Sequence, residues 1–279
     1  MTITAPATLA PERQLPKGHY AITDLLRSEW TKLLSVRSTM WTLGLTIFIG
    51  LGVSAIATIE TRSHWLSQPP QSHVGFDPTS LSLTGVFIAQ LIIGVLGVMV
   101  MSAEYGTGSI RATFSAAPRR PLVLTAKVAV FGFVALVVSM ATAFLSFFVG
   151  QALLSAPAVH ATLSTPGALR EVAGTGIFLF LIGLFALSLA TIIRHTAGAI
   201  STFVGVLLVL PTVLRALPSS LFNAIDPYMP SRIGVTLLSL HPNQTGETAF
   251  SPWVGLLVLG GYTVVLLIIG GVMMVRRDA

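Results

Sequence analysis

Apolar residues fall into six long unbroken runs along this chain of 279 residues, and polar residues gather in the short connections between them. The runs cover residues 40–59, 83–101, 124–150, 172–193, 197–217 and 253–275. Each can cross a hydrocarbon layer about 30 Å thick, which takes about 20 helical residues. A membrane barrel would instead alternate in polarity over segments of about ten residues. β-branched stretches such as 204–213 therefore read as helix. The pattern predicts an all-α integral membrane protein with six transmembrane helices. The alternative is a re-entrant course for the fifth run, which contains Pro211, and it would scramble the charge sorting described below.

A helical period precedes the first run. Ile22, Leu26, Trp30, Leu33 and Arg37 recur at spacings of four, four, three and four, with Leu25 and Leu34 beside them. Asp24, Arg27, Ser28, Thr31, Lys32 and Ser35 fall mostly on the other side. Thr23 is a candidate N-cap, with Asp24 in the first turn where the helix dipole favours a negative charge. An amphipathic helix carrying Trp, Lys and Arg ahead of a span is expected to lie in the membrane interface. It is assigned to residues 20–38, held there by Leu26, Trp30, Lys32, Leu33 and Arg37. A soluble helix that merely anchors the span through Lys32 and Arg37 is the plainer reading. Residues 1–19 hold no apolar stretch of signal-peptide type and are expected to be a disordered tail. Residues 39–279 form the six-span domain.

Composition sharpens this picture. Charged residues make up 9% of the chain, against about 25% in ordinary soluble domains, so no separate soluble domain is expected. With no cysteine, disulfides and thiol chemistry are excluded. The net charge of +6 comes from basic residues beside the spans, which points to lipid headgroups and orientation rather than nucleic acid. Arg13, Lys17, Arg27, Lys32, Arg37, Arg111, Arg119, Arg120, Lys127, Arg194, Arg276 and Arg277 fall on one side. Only Arg62, Arg170, Arg215 and Arg232 fall on the other. The positive-inside rule then puts both termini in the cytoplasm.

Candidate chemistry is sparse. Histidines 19, 64, 73, 160, 195 and 241 are scattered without metal-ligand spacing, so no metal site is expected. Glu60, Asp77, Glu171 and Glu247 stand apart in different external connections. No GxxxxGK[ST] run occurs, so neither a nucleotide site nor any other cofactor is expected. No Asp or Glu lies at mid-depth in a span, and Gln90, Ser139, Thr142 and Ser146 are the main polar residues there. Ion-coupled carriers and cation channels usually keep charged or carbonyl-rich groups at that depth. Energy for any transport is therefore expected from a partner, and the four polar residues are read as helix-packing contacts, with substrate contact as the alternative.

Two connections stand out. Between spans two and three, Glu104 sits at the membrane exit, free to reach water. Gly106 and Gly108 permit a reversal, and residues 109–114 form a short helix closed by Pro118 and Pro121. Glu104 is expected to pair with Arg111 or cap that helix, while Ile110 and Phe114 offer an apolar face to a partner. Before span six, the Pro-punctuated amphiphilic segment 218–232 is expected to form an external re-entrant element, with Asp226 and Arg232 capping helices or else lining an exit.

These motifs resemble a known family. Arg27-Ser28-Glu29-Trp30-Thr31-Lys32-Leu33, followed by Arg37-Ser38, looks like the N-terminal helix of ABC-2 type transporter permeases. Glu104-Tyr105-Gly106-Thr107-Gly108-Ser109-Ile110-Arg111-Ala112-Thr113-Phe114, continuing to Pro118-Arg119-Arg120, resembles their E-x-x-x-G-[ST]-[IL]-[RK] cytoplasmic loop. The resemblance implies a permease subunit in a bacterial plasma membrane, usually an exporter, that works with a separate ATPase and a second permease subunit. It implies that the N-terminal helix and the coupling helix between spans two and three meet the ATPase. The coupling residues would be Glu104, Tyr105, Gly106, Thr107, Gly108, Ser109, Ile110, Arg111 and Phe114. A lipid-modifying membrane enzyme and a non-transporting scaffold or sensor are the alternative readings. No residue marks the substrate path.

Overall fold

The computed structural model describes residues 22–67, 69, 73, 75–116, 120–154, 159–238 and 250–276. The expected tail 1–19, together with Pro118, Arg119, His241, Glu247 and Arg277, lies outside them. Every regular element among the described residues is helical. In chain order these are α1 (Ile22–Ser35), α2 (Arg37–His64), α3 (Pro78–Ser82), α4 (Val86–Gly106), α5 (Ser109–Ala116), α6 (Arg120–Leu153) and α7 (Ala168–Ile193). There follow α8 (Thr196–Val204), α9 (Leu210–Leu214), α10 (Ser219–Ile225), α11 (Pro230–Leu237) and α12 (Pro252–Arg276). Six helical stretches are long and apolar enough to cross a membrane: Arg37–Ser67, Val86–Gly106, Arg120–Leu153, Ala168–Ile193, Thr196–Leu214 and Pro252–Arg276. The chain is a multi-pass membrane protein.

Local chemistry explains where these spans differ from the apolar runs. The third starts at Arg120 because Pro121 fits the first turn, where its missing N–H has no carbonyl to meet. The fifth is α8 and α9 joined by a π-helical turn, Gly205–Val209, in which Leu210 N–H reaches back to the Gly205 carbonyl. Pro211 follows at once. Its ring would clash with the carbonyl four residues back in a regular helix, and the wider turn relieves that crowding. This span ends at Leu214 instead of Leu217.

The most enclosed span is α7, which packs on α4, α6 and α12, while α2 lies against α4 and α6. Ile93, Leu179, Ile182 and Leu187 are fully buried at its contacts. Small residues set the closest approaches, as in other membrane bundles. Any Cβ at Gly85 would collide with the Gly50 backbone of α2, and one at Gly97 with Gly183 of α7. Ser54 Oγ accepts from the Gly85 N–H at 3.0 Å in the same contact. Thr142 and Ser146 of α6 lie against Gly50, which supports the packing reading of these polar residues.

Long-range bonds define two ends of the bundle. At the near end, Arg120 and Arg194 donate to the last carbonyls of α12, at Met274 (3.0 Å) and Met273 (2.8 Å). At the far end, Gln151 of α6 donates to Pro78 and Ser82 of α3, and Arg62 to the Leu153 carbonyl. The segment ahead of span six forms α10 and α11, joined by a 3-10 turn at Asp226–Tyr228. Asp226 stands at the C-cap position of α10, and Arg232 lies in the first turn of α11. They pair with each other at 3.1 Å.

Candidate functional site: an ionic ring at the near end

The pattern that makes α1 a helix also puts a charge on its packed face. Leu26, Glu29 and Leu33 share one side at spacings of three and four, and this side docks on α6. Glu29 and Leu33 are buried and Leu26 half-buried. Trp30 stays exposed at the edge, its ring 6.2 Å from that of Phe133 on α6. Thr23 lies inside the helix rather than capping it, and Arg37 opens α2 instead of closing α1.

Four charged side chains meet beside this contact. Lys127 Nζ of α6 lies 2.6 Å from Glu29 Oε2 and 2.9 Å from Glu104 Oε1 of α4. Lys32 Nζ lies 2.7 Å from Glu29 Oε1 and 3.0 Å from Glu104 Oε1. Charges alternate around the ring and cancel. Lys127, Glu29 and Glu104 expose 4%, 6% and 12% of their side chains, whereas Lys32 is 39% exposed. The first three are thus desolvated and held by mutual contact, and Lys32 closes the ring from the water side. Burial works against the Lys32 charge, but the hydrogen bond and charge of Glu29 and those of Glu104 outweigh it. The Lys32 ammonium is held above the ordinary lysine value.

The ring revises the expectation for Glu104. Its ion-pair partners among the described side chains are Lys32 and Lys127, and its second oxygen, Oε2, is buried without a hydrogen-bond partner, so it caps no helix. Its side chain keeps only 12% exposure, so its contact with water is narrow. Lys32 Nζ also reaches Thr113 Oγ1 of α5 at 3.4 Å, which brings α5 into the same network. A cavity of about 400 Å³ adjoins the ring, walled by Leu33, Val36, Thr42, Leu96 and Val100.

The α4–α5 connection places the remaining expected residues. Tyr105 is half-buried with the Arg194 guanidinium 5.3 Å from its ring centre. Gly106 ends α4 in helical conformation, so the reversal belongs to Gly108 alone, at φ +69°. The hydroxyls of Thr107 and Ser109 lie 3.0 Å apart, and Gly106 through Ser109 are exposed. Ile110 is 3% exposed and packs into the bundle core. It anchors α5 inward and is not available to a partner. Arg111 and Phe114 belong to the α5 backbone, but their side chains lie outside the described atoms.

Glu29 and Lys127 are the ring members absent from the expected site. Each left a trace in the sequence. Glu29 interrupts the apolar stripe between Leu26 and Leu33, and Lys127 sits inside the third apolar run. Neither residue makes chemistry by itself. The ring can lock α1, α4, α5 and α6 into one mechanical unit. Among the described residues no three His, Cys, Asp or Glu side chains gather in a group that could hold a metal.

The profile of the ABC-2 family transporter proteins matches residues 25–212. The match opens within α1, closes within α9, and contains all four ring residues and α5. No curated protein matches the chain.

Proposed function

The chain belongs to the ABC-2 transporter family, and from that membership we propose that it is the membrane-spanning permease subunit of an ABC exporter. ATP is hydrolysed on a separate chain that docks against α1 and α5. The near end faces the cytoplasm of a bacterial cell, as do both termini, in keeping with the excess of Lys and Arg at that end. Two permease subunits, identical or homologous, enclose the substrate path.

The ionic ring is the observation that carries this reading. Helix α5 is the short link between spans α4 and α6, and Glu104 and Lys127 bind both of those spans to α1. A push on α5 or α1 therefore reaches spans two and three together instead of flexing a loose connection. The exposed surface at Gly106–Ser109 supplies the contact. The missing phosphate loop accounts for the need of a partner.

The experiment is affinity capture of the tagged full-length chain, followed by ATP turnover of the captured material before and after the chain is stripped of partners. Turnover should accompany a co-captured protein with a GxxxxGK[ST] loop and be absent from the stripped chain. Arg111→Glu should reduce capture of that protein at matched expression, whereas Arg119→Glu should not. Turnover that stays with the stripped chain, or equal capture by the two variants, would overturn the proposal.

A further inference from the structure

At the far end, where α3 packs on α7, buried oxygens accumulate without partners. Asp77 Oδ2, Thr79 Oγ1, Thr175 Oγ1 and both carboxylate oxygens of Glu171 are buried and make no hydrogen bond. Glu171 is fully buried, and Thr79 and Thr175 are each 1% exposed. Other buried threonines on the spans, such as Thr58, Thr142, Thr191 and Thr263, donate to the carbonyl four residues back. Thr175 Oγ1 makes no such bond, although Glu171 lies one turn before it on the same face of α7. Asp77 spends its other oxygen, Oδ1, on the N–H groups of Thr79 and Ser80 at the start of α3.

The charges here do not balance. Asp77 of α3 and Arg170 of α7 itself are the charged groups that bear on Glu171 among the described residues. Arg170 Nη2 stands 3.5 Å from Glu171 Oε1, long for a hydrogen bond. Two carboxylates and one guanidinium leave one negative charge over, and it falls on oxygens that are themselves buried. Buried charge of this kind is costly unless it is neutralised.

We propose that this α3–α7 junction binds one monovalent cation, with an alkali ion and a proton competing for the same carboxyl oxygens. Carboxylate and hydroxyl oxygens are the donors that hard cations take. The surplus is a single charge, so a divalent ion would overshoot it. Softer metals find no nitrogen or sulfur donor among Asp77, Thr79, Glu171 and Thr175. Bound, the cation joins the start of α7 to α3, which Gln151 already ties to α6. The inference needs neither the ATPase nor any substrate.

The test is the melting temperature of the purified full-length chain in detergent. Sodium chloride is exchanged for N-methylglucamine chloride at constant ionic strength, at pH 9 and at pH 6. At pH 9, saturating sodium should raise the midpoint by on the order of 5 °C. At pH 6 the rise should vanish, because the proton already occupies the site. Glu171→Gln should remove the sodium response and flatten the pH dependence. Thr175→Val, which keeps volume and loses one oxygen, should weaken sodium roughly tenfold and serves if Glu171→Gln folds poorly. A pH response abolished by Glu171→Gln, with no sodium effect at either pH, assigns the site to the proton alone. A wild-type midpoint that ignores both, or a Glu171→Gln variant that responds as wild type does, overturns the proposal.

Discussion

At the scale of single residues, Lys127 carries the largest consequence. It is the ring member most withdrawn from water, and two carboxylates depend on it. Removing one partner of a buried pair strands the others, at a cost of about 3–5 kcal/mol, whereas replacing partners together costs much less. Lys127→Met should therefore destabilise the chain by about that amount, and Glu29→Gln/Lys127→Met by less than the sum of the two single changes. Chemical or thermal unfolding of the four proteins in one detergent measures the coupling, and strict additivity would show that the ring is not a unit. Arg194 is the residue-scale counterpart on the other flank. It is the one non-glycine residue with positive φ among those described, at 60°. Its guanidinium bonds the Met273 carbonyl and covers Tyr105, so the strained turn is held by contacts with α12 and α4.

At the scale of elements, α1 is docked by charge as much as by apolar contact, and this makes its seat sensitive to alkali. The Lys32 value is raised on docking. Its contribution is whole below the ordinary lysine value of 10.5 and is lost as pH climbs through the higher docked value. A variant with Trp30 as sole tryptophan should keep its emission unchanged up to about pH 10 and shift only above that. A transition centred near neutrality would contradict the assignment. The elements were unequally legible in sequence. The six spans showed plainly, since continuous apolar length needs no knowledge of facing. The existence of α1 was also legible, from its period. Its buried face was not, because the polarity of Lys32 suggested water while its partner Glu104 stands 72 residues away. The direction of Ile110 was hidden for a related reason. An eight-residue helix with one buried face reads the same whether that face meets its own bundle or a partner. Gly106 and Gly108 looked equivalent, and only the end of α4 at Gly106 separates them.

At the scale of the whole molecule, burial is lopsided. Span α7 is enclosed, while the fifth and sixth spans leave most of their surface outward, with Leu208, Val213, Leu257 and Ile268 exposed. These surfaces suit lipid and the second subunit of the proposed dimer, whose particle in nanodiscs should contain two permease chains by native mass measurement. The proposed orientation has a direct check. Ser67 is exposed at the far end, and the chain has no native cysteine to confuse the result. Ser67→Cys should react with a membrane-impermeant maleimide added to intact cells. Reaction only after the cells are opened would invert the topology.

The ring also has a history in time. Glu29 and Lys127 are 98 residues apart, and a ribosome adding about 5–20 residues per second separates their synthesis by roughly 5–20 s. Through that interval Glu29 has only its near neighbour Lys32, and the groove that receives α1 does not yet exist. Helix α1 has no seat until the third span has been inserted. The last joint of the amino-terminal half is thus closed by its first helix, and a nascent chain stalled before residue 127 carries that helix undocked.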